Sequence, residues 1–273
     1  NLCSGIFLYD TQFAVIDDFL VFKFWAGEQL AYMMPVGNGD LKAVLRKLIE
    51  DADQEKHNFC MLGVCSNMRA DLEAILPERF IFTEDRAYAD YIYLRSDLAT
   101  LKGKKFQAKR NHINRFRNTY PDYEYTPITP DRIQECLDLE AEWCKVNNCD
   151  QQEGTGNERR ALIYALHNFE ALGLTGGILH VNGKIVAFTF GMPINHETFG
   201  VHVEKADTSI DGAYAMINYE FANRIPEQYI YINREEDLGI EGLRKAKLSY
   251  QPVTILEKYM ACLKDHPMDM VRW

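Results

Sequence analysis

The sequence predicts an α/β protein in two halves that share one order of elements, with a basic helix joining them. Three observations lead there. The 273 residues are 47% hydrophobic and 26% charged, the composition of a globular chain with a real core. Short runs rich in β-branched and aromatic residues alternate with stretches of helical periodicity. Corresponding elements of the two halves begin about 170 residues apart: long helices near 40 and 210, the next strands near 59 and 229, the next helices near 68 and 238.

The elements follow in order. Phe13 to Ile16, Phe19 to Trp25 and Leu30 to Pro35 read as strands separated by turn residues. Gly37-Asn38-Gly39-Asp40 is a turn, and Asp40 is placed to cap the helix in which Leu41, Val44, Leu45, Leu48 and Ile49 recur. Phe59 to Val64 reads as a buried strand and Met68 to Leu76 as a helix ended by Pro77. Phe80 to Phe82 and Tyr91 to Leu94 close the set as strands. The middle of the chain supplies three helices: a basic one, one over 131–146 and one over 157–172. Then Gly177 to Val181 and Ile185 to Met192 form a hairpin about Asn182-Gly183, a strong turn signal. Thr198 to Val203 is the next strand. Ile210, Ala213, Tyr214, Ile217, Phe221 and Ile225 make the apolar stripe of a helix. Tyr229 to Ile232, a helix over Leu238 to Leu248, and a final strand over Val253 to Leu256 complete the chain. The expected divisions are 1–97, a connecting helix over 98–125, and 126–273.

Composition excludes several classes. No run of 18 apolar residues is present to make a membrane-spanning helix, and the first residues do not resemble a signal peptide. A cytoplasmic location is the expectation, with peripheral membrane contact left open. The seven cysteines, Cys3, Cys60, Cys65, Cys136, Cys144, Cys149 and Cys262, lack a tight framework and read as reduced thiols. No Cys or His spacing suits a metal, and no metal or tightly bound cofactor is expected.

Charge is uneven. The net charge is −10, which by itself opposes binding to nucleic acid or anionic membranes. Yet no acidic residue lies between Asp97 and Asp122, where Lys102, Lys104, Lys105, Lys109, Arg110, Arg115 and Arg117 collect around His112, leaving about −17 on the rest of the chain. On a helix over Lys102 to Arg117, Phe106, Ile113 and Phe116 form an apolar stripe. Arg110 and Arg117 lie on one flank of it, Lys105 and Lys109 on the other. Such a face suits a phosphate, because Arg forks match its oxygens and Lys adds point charge. A plain solvated basic helix is the competing reading. Asn111 and Asn114 are poor mid-helix choices, which favours a hydrogen-bonding use for them.

Strand-strand-strand-helix-strand-helix-strand is similar to the order of GNAT acyltransferases. Two further segments carry a closer resemblance, Leu101-Lys102-Gly103-Lys104-Lys105-Phe106-Gln107-Ala108-Lys109-Arg110-Asn111-His112-Ile113-Asn114-Arg115-Phe116 and Asp237-Leu238-Gly239-Ile240-Glu241-Gly242-Leu243-Arg244-Lys245-Ala246-Lys247-Leu248-Ser249-Tyr250-Gln251-Pro252. Both resemble a bacterial family grouped with the C-terminal domain of phosphatidylglycerol lysyltransferase, whose members carry tandem GNAT-like domains, as do Fem-type aminoacyltransferases. The resemblance implies an acyl or aminoacyl transferase with aminoacyl-tRNA as donor, and a tRNA partner. An acyl-CoA donor is an alternative, as is a non-catalytic ligand-binding protein on the same fold. The single glycine of the loop before Ala213, Gly212, argues against CoA.

The candidate catalytic residues are Lys247, Glu204 and Asp237. The Fem-type resemblance implies a substrate-meeting Lys near Lys247. Glu204 ends a strand where a general base of such a fold stands. Asp237 sits just before a helix, where N-capping is the plainer reading. The candidate substrate- or phosphate-binding residues are Lys105, Lys109, Arg110, Asn111, Asn114, Arg117, Gly212, Tyr214, Arg244 and Tyr250. Arg244 and Lys247, three apart, share a helix face.

Overall fold

The computed structural model describes residues 10–147 and 153–264. In chain order its elements are β1 (Gln12–Ile16), β2 (Phe19–Ala26), β3 (Gln29–Met33), β4 (Val36–Gly37), α1 (Leu41–Gln54), β5 (Cys60–Val64), α2 (Ser66–Ile75), β6 (Phe80–Glu84), β7 (Asp90–Leu94), α3 (Arg95–Thr100), α4 (Gln107–Thr119) and β8 (Glu124–Pro127). There follow α5 (Ile133–Asn147), α6 (Glu153–His167), β9 (Thr175–Val181), β10 (Lys184–Pro193), β11 (Thr198–Ala206), α7 (Ala213–Ala222), β12 (Tyr231–Asn233), α8 (Glu241–Leu248), β13 (Thr254–Leu256) and β14 (Tyr259–Leu263). Two mixed sheets flanked by helices result, one in each of two compact units.

The first unit holds the described residues up to Ala89 and those from Leu256 onward. Its sheet runs β1-β2-β3-β5-β14-β6, with β4 on β2. Asp40 caps α1, its carboxylate accepting from the Ala43 N–H at 3.1 Å, and Val44, Leu45, Leu48, Ile49 and Ala52 are buried on the sheet. The second unit, Asp90–Ile255, has the order β13-β7-β12-β11-β10-β9-β8. Near the centre of each sheet lies a parallel pair, β3 with β5 and β11 with β12. In the second unit α7 packs its Ala213, Met216, Ile217 and Phe221 on one face of the sheet with Leu179, Ala187, Phe199 and Val201. Cys136 and Leu139 of α5 and Leu162, Ala165 and Leu166 of α6 pack on the other with Ile178, Phe188 and Phe190.

Several expectations need correction. The contacts divide the chain at Ala89 and Asp90 rather than at 97 and 98, and α4 belongs to the second unit instead of forming a connector. The strand at Val253 to Leu256 is not the last, because β14 returns to the first sheet between β5 and β6. The basic helix begins at Gln107 and not Lys102, because Leu101 and Gly103 take positive φ and a 3₁₀ turn spans Lys104–Phe106. The C-terminal helix begins at Glu241 and not Leu238, since Leu238 and Gly239 take φ of +53° and +75°. The third middle helix ends at His167, short of 172. Cys60 and Cys262, expected reduced, face each other across β5 and β14 with Cα atoms 4.1 Å apart and are joined as a disulfide. Cys136 and Cys144 are free thiols, and Cys3 and Cys149 lie outside the described residues. Among the described residues no helix is long and apolar enough to cross a membrane.

Candidate functional site

The second unit opens where its parallel strands part. β11 and β12 pair only through Thr198 to Gly200 and Tyr231 to Asn233. β11 runs on to Ala206, whereas the chain turns away after Asn233. A register shift between Phe190 and Gly191 leaves His202 as the extra residue of a bulge in β11. A bulge of this kind re-aims side chains at the end of a strand. Two pairs then cross the gap. Arg234 donates from Nη2 to Glu204 Oε1 at 2.9 Å, and His202 Nδ1 lies 2.7 Å from Glu235 Oε1. The second oxygen of Glu204 accepts from Asn218 Nδ2 on α7 at 3.1 Å.

Three cations converge on this gap. The Arg234 guanidinium lies 4.9 Å from the centre of the Tyr250 ring and 5.7 Å from that of Tyr93. Lys109 of α4 holds its Nζ 4.0 Å above the Tyr250 ring, a favourable place for a cation. Lys247 of α8 is buried and donates to the carbonyls of Arg234, Glu235 and Glu236 at 2.6, 3.2 and 2.5 Å. Both lysines are pushed down to about 8, first by burial and next by the charge of Arg234. Their positive charge is held at a cost that a bound anion would offset. Beside Glu204, Arg234 Nη1 and Asn218 Oδ1 are buried and have no partner, and the same holds for His202 Nε2 at the bulge. Buried polar atoms of this kind are ordinarily satisfied, so each is a candidate contact for a polar ligand.

The structure gathers Lys109, Glu204, Lys247 and Tyr250 of the sequence candidates and disperses the others. Lys105 is paired with Asp97 at 2.8 Å. Arg110 donates to the carbonyls of Leu101 and Gly103 and to Gln107, and so closes the turn before α4. Arg117 lies beside Glu220 and over the Tyr219 ring. Arg115 is bound to Asp211. The proposed clamp of arginines on one flank and lysines on the other is therefore largely neutralised by the body of the unit, and Lys109 is the member that meets the gap. Asn111 accepts from Gln107 at 2.8 Å on the exposed side of α4, and Asn114 is exposed as well.

Tyr214, in the first turn of α7, accepts from Trp143 Nε1 at 3.0 Å. Trp143 carries the Lys205 ammonium 3.6 Å over its ring. Asp237 does not cap α8, whose first residue follows Ile240. Instead its carboxylate, wholly buried, takes two bonds from Arg244, one from the Tyr91 hydroxyl and one from the Gly239 N–H. Both oxygens are engaged, and the pair of Asp237 with Arg244 ties the turn before α8 to that helix.

Gly212 starts α7 with φ of +84°, and a Cβ there would stand 2.8 Å from the His112 carbonyl of α4. Gly212→Ala should cost about 2 kcal/mol, part backbone strain and part displacement of α4 from α7. The check is a lower urea midpoint with an unchanged m-value.

Arg234, His202 and Asn218 were not singled out by sequence. A signal for the first exists: Arg234 opens a charged run at the carboxyl end of a parallel strand, where ligands of α/β sheets bind. The other two depend on the bulge and on helix register.

Residues 7–262 match the family of the phosphatidylglycerol lysyltransferase C-terminal domain. A conserved protein of Bacteroides thetaiotaomicron, known by crystal structure, is 99% identical with a TM-score of 0.95 over 97% of this chain and 89% of that one. L-PGS from Bacillus licheniformis has a TM-score of 0.67 at 18% identity over 94% and 85% of the two chains. A tandem GNAT protein from the clavulanic acid biosynthesis pathway has one of 0.50 at 10% identity over 89% and 78%. These last two share the fold, which by itself does not fix function. An uncharacterised protein of Mycoplasmoides gallisepticum is 25% identical over 177 residues, 63% of this chain and 55% of that protein, so the chain spans about half the length of this relative. With its two GNAT-like mixed sheets and a family match over nearly its whole length, the chain belongs to the phosphatidylglycerol lysyltransferase C-terminal family.

Proposed function

We propose that the second unit transfers an aminoacyl group from a charged tRNA to a nucleophilic acceptor, with the gap between β11 and β12 as the reaction site. The observation that carries this reading is the cationic cluster of Lys109, Arg234 and Lys247 in a partly buried gap, with Arg234 Nη1 unpartnered. Such a cluster suits the phosphate and ester oxygens at a tRNA 3′ end. The donor would be a substrate and not a resident cofactor. Lys247 would act by fixing the turn that carries Arg234 and Glu235, Lys109 by direct charge, and Tyr250 as the platform under Lys109 and Arg234. The acceptor attacks the ester carbonyl directly, with catalysis by positioning and by charge on the developing oxyanion.

The test is binding of lysyl-tRNA and alanyl-tRNA at two salt concentrations, beside acetyl-CoA as a rival donor. The expected result is salt-dependent tRNA binding that weakens in Lys109→Gln by about tenfold, with the salt slope shallower by roughly 0.7. Thermal stabilisation by acetyl-CoA without any by charged tRNA would replace this reading with a CoA-dependent one.

A further inference from the structure

The reaction needs a group to take the acceptor's proton, and the residue expected for that role is engaged. Both oxygens of Glu204 are held, one by Arg234 at 2.9 Å and one by Asn218 at 3.1 Å. Arg234 and Asn218 compete for the lone pairs a base would use. His202 stands differently. Its Nδ1 is 2.7 Å from Glu235 Oε1, and its Nε2 is buried without a partner. A carboxylate only accepts, so in the neutral ring the proton sits on Nδ1 and Nε2 presents a bare lone pair.

Three further features fix this dyad in the gap. His202 is the extra residue of the β11 bulge. Glu235 has a φ of +57°, uncommon for a non-glycine residue, and its N–H donates to Asn233 Oδ1 at 2.7 Å. Lys247 donates to the Glu235 carbonyl and to the carbonyls on either side, which holds the strained turn in place. The chain thus sustains an unfavourable backbone conformation at the residue that orients the ring.

We infer that His202 is the proton acceptor of the reaction site and that Glu235 is its positioning residue. This inference rests on the aminoacyl-transfer reading above. As the acceptor's oxygen or nitrogen bonds to the ester carbonyl carbon, its proton passes to His202 Nε2. When the tetrahedral intermediate collapses, the carbon–oxygen bond to the tRNA ribose breaks and that proton passes to the departing ribose oxygen. The products are the acylated acceptor and free tRNA, and His202 returns to its starting tautomer. The Glu235 carboxylate holds the ring and stabilises the transient imidazolium.

Two measurements on the full chain test the proposal. In ¹⁵N-histidine NMR, His202 should show an unprotonated Nε2 and a Hδ1 shifted downfield by its carboxylate partner. The shift should be lost in Glu235→Gln, and a proton found on Nε2 would overturn the dyad outright. In single-turnover assays with lysyl-tRNA or alanyl-tRNA and phosphatidylglycerol vesicles, His202→Gln should slow transfer about 100-fold and Glu235→Gln about 10-fold, with donor binding retained. A His202→Gln rate within about threefold of the parent sinks the catalytic role, since general bases contribute more than that. Should His202→Gln fail to fold, Glu235→Gln, which keeps shape and volume, carries the kinetic comparison under the same limit. If the parent protein transfers from neither tRNA, the aminoacyl-transfer reading falls and takes the role of His202 in it. The tautomer still reports separately whether the dyad exists.

Discussion

Arg234→Met should destabilise the second unit by about 3–5 kcal/mol, because it strands a largely buried carboxylate. The Arg234 and Glu204 side chains are only 11% and 14% exposed, and their contact is direct at 2.9 Å. Removing the cation leaves Glu204 with Asn218 alone and removes the charge that sits near the Tyr93 and Tyr250 rings. A change of this size lowers the melting temperature by roughly 10 °C in a domain of this length. The partner substitution separates pairing from packing: Arg234→Met with Glu204→Leu should recover most of the loss, since replacing both members of a buried pair is far less harmful than removing one. A single substitution costing under about 1 kcal/mol would mean that the pair does not hold the gap together. The same substitution removes the positive charge that helps push Lys109 and Lys247 down to about 8, so both amines should titrate higher.

The fold was legible where local chemistry matched the global arrangement. Asn182 and Gly183 take φ of +51° and +73°, as a tight hairpin between two β-rich runs requires, and β9 and β10 pair as expected. Asp40 caps the helix whose apolar period announced it. What sequence hid was long-range. β14 is a five-residue strand whose place between β5 and β6 is set by partners some 200 residues earlier, and the pairing of Cys60 with Cys262 follows from that place alone. The helical period ran through Lys102 and Leu238 without revealing the left-handed residues that stop α4 and α8 short. The site divides in the same way. Lys109, Lys247 and Tyr250 stood out through charge clustering and resemblance. Arg110 and Arg117 stood out equally, yet carbonyls, Glu220 and Tyr219 take them up, because helix phase tells which residues share a side but not what that side meets.

Asp237→Asn should lower stability at neutral pH by roughly 2 kcal/mol, with the loss shrinking as the solution becomes acidic. The carboxylate is 0% exposed and accepts four bonds, two from Arg244 at 2.7 and 2.8 Å, one from Tyr91 at 2.6 Å and one from the Gly239 N–H at 2.9 Å. The hydrogen bonds from Arg244, more than the opposing burial, hold its pKa well below the usual carboxylate range. An amide keeps one accepting oxygen and must turn an NH₂ toward a guanidinium, so the turn bearing Leu238 and Gly239 loosens. The folded carboxyl resists protonation to far lower pH than the unfolded one. Its contribution is therefore complete above about pH 4, the unfolded value, and drains away as pH falls below that toward the depressed folded value. Urea midpoints of the parent and Asp237→Asn proteins should differ most at pH 6–7 and converge towards pH 2–3. A gap that stays constant across that range would assign the loss to shape at position 237 rather than to charge. A gap that widens on acidification would reverse the sign and remove Asp237 as the anchor of the turn beside the site.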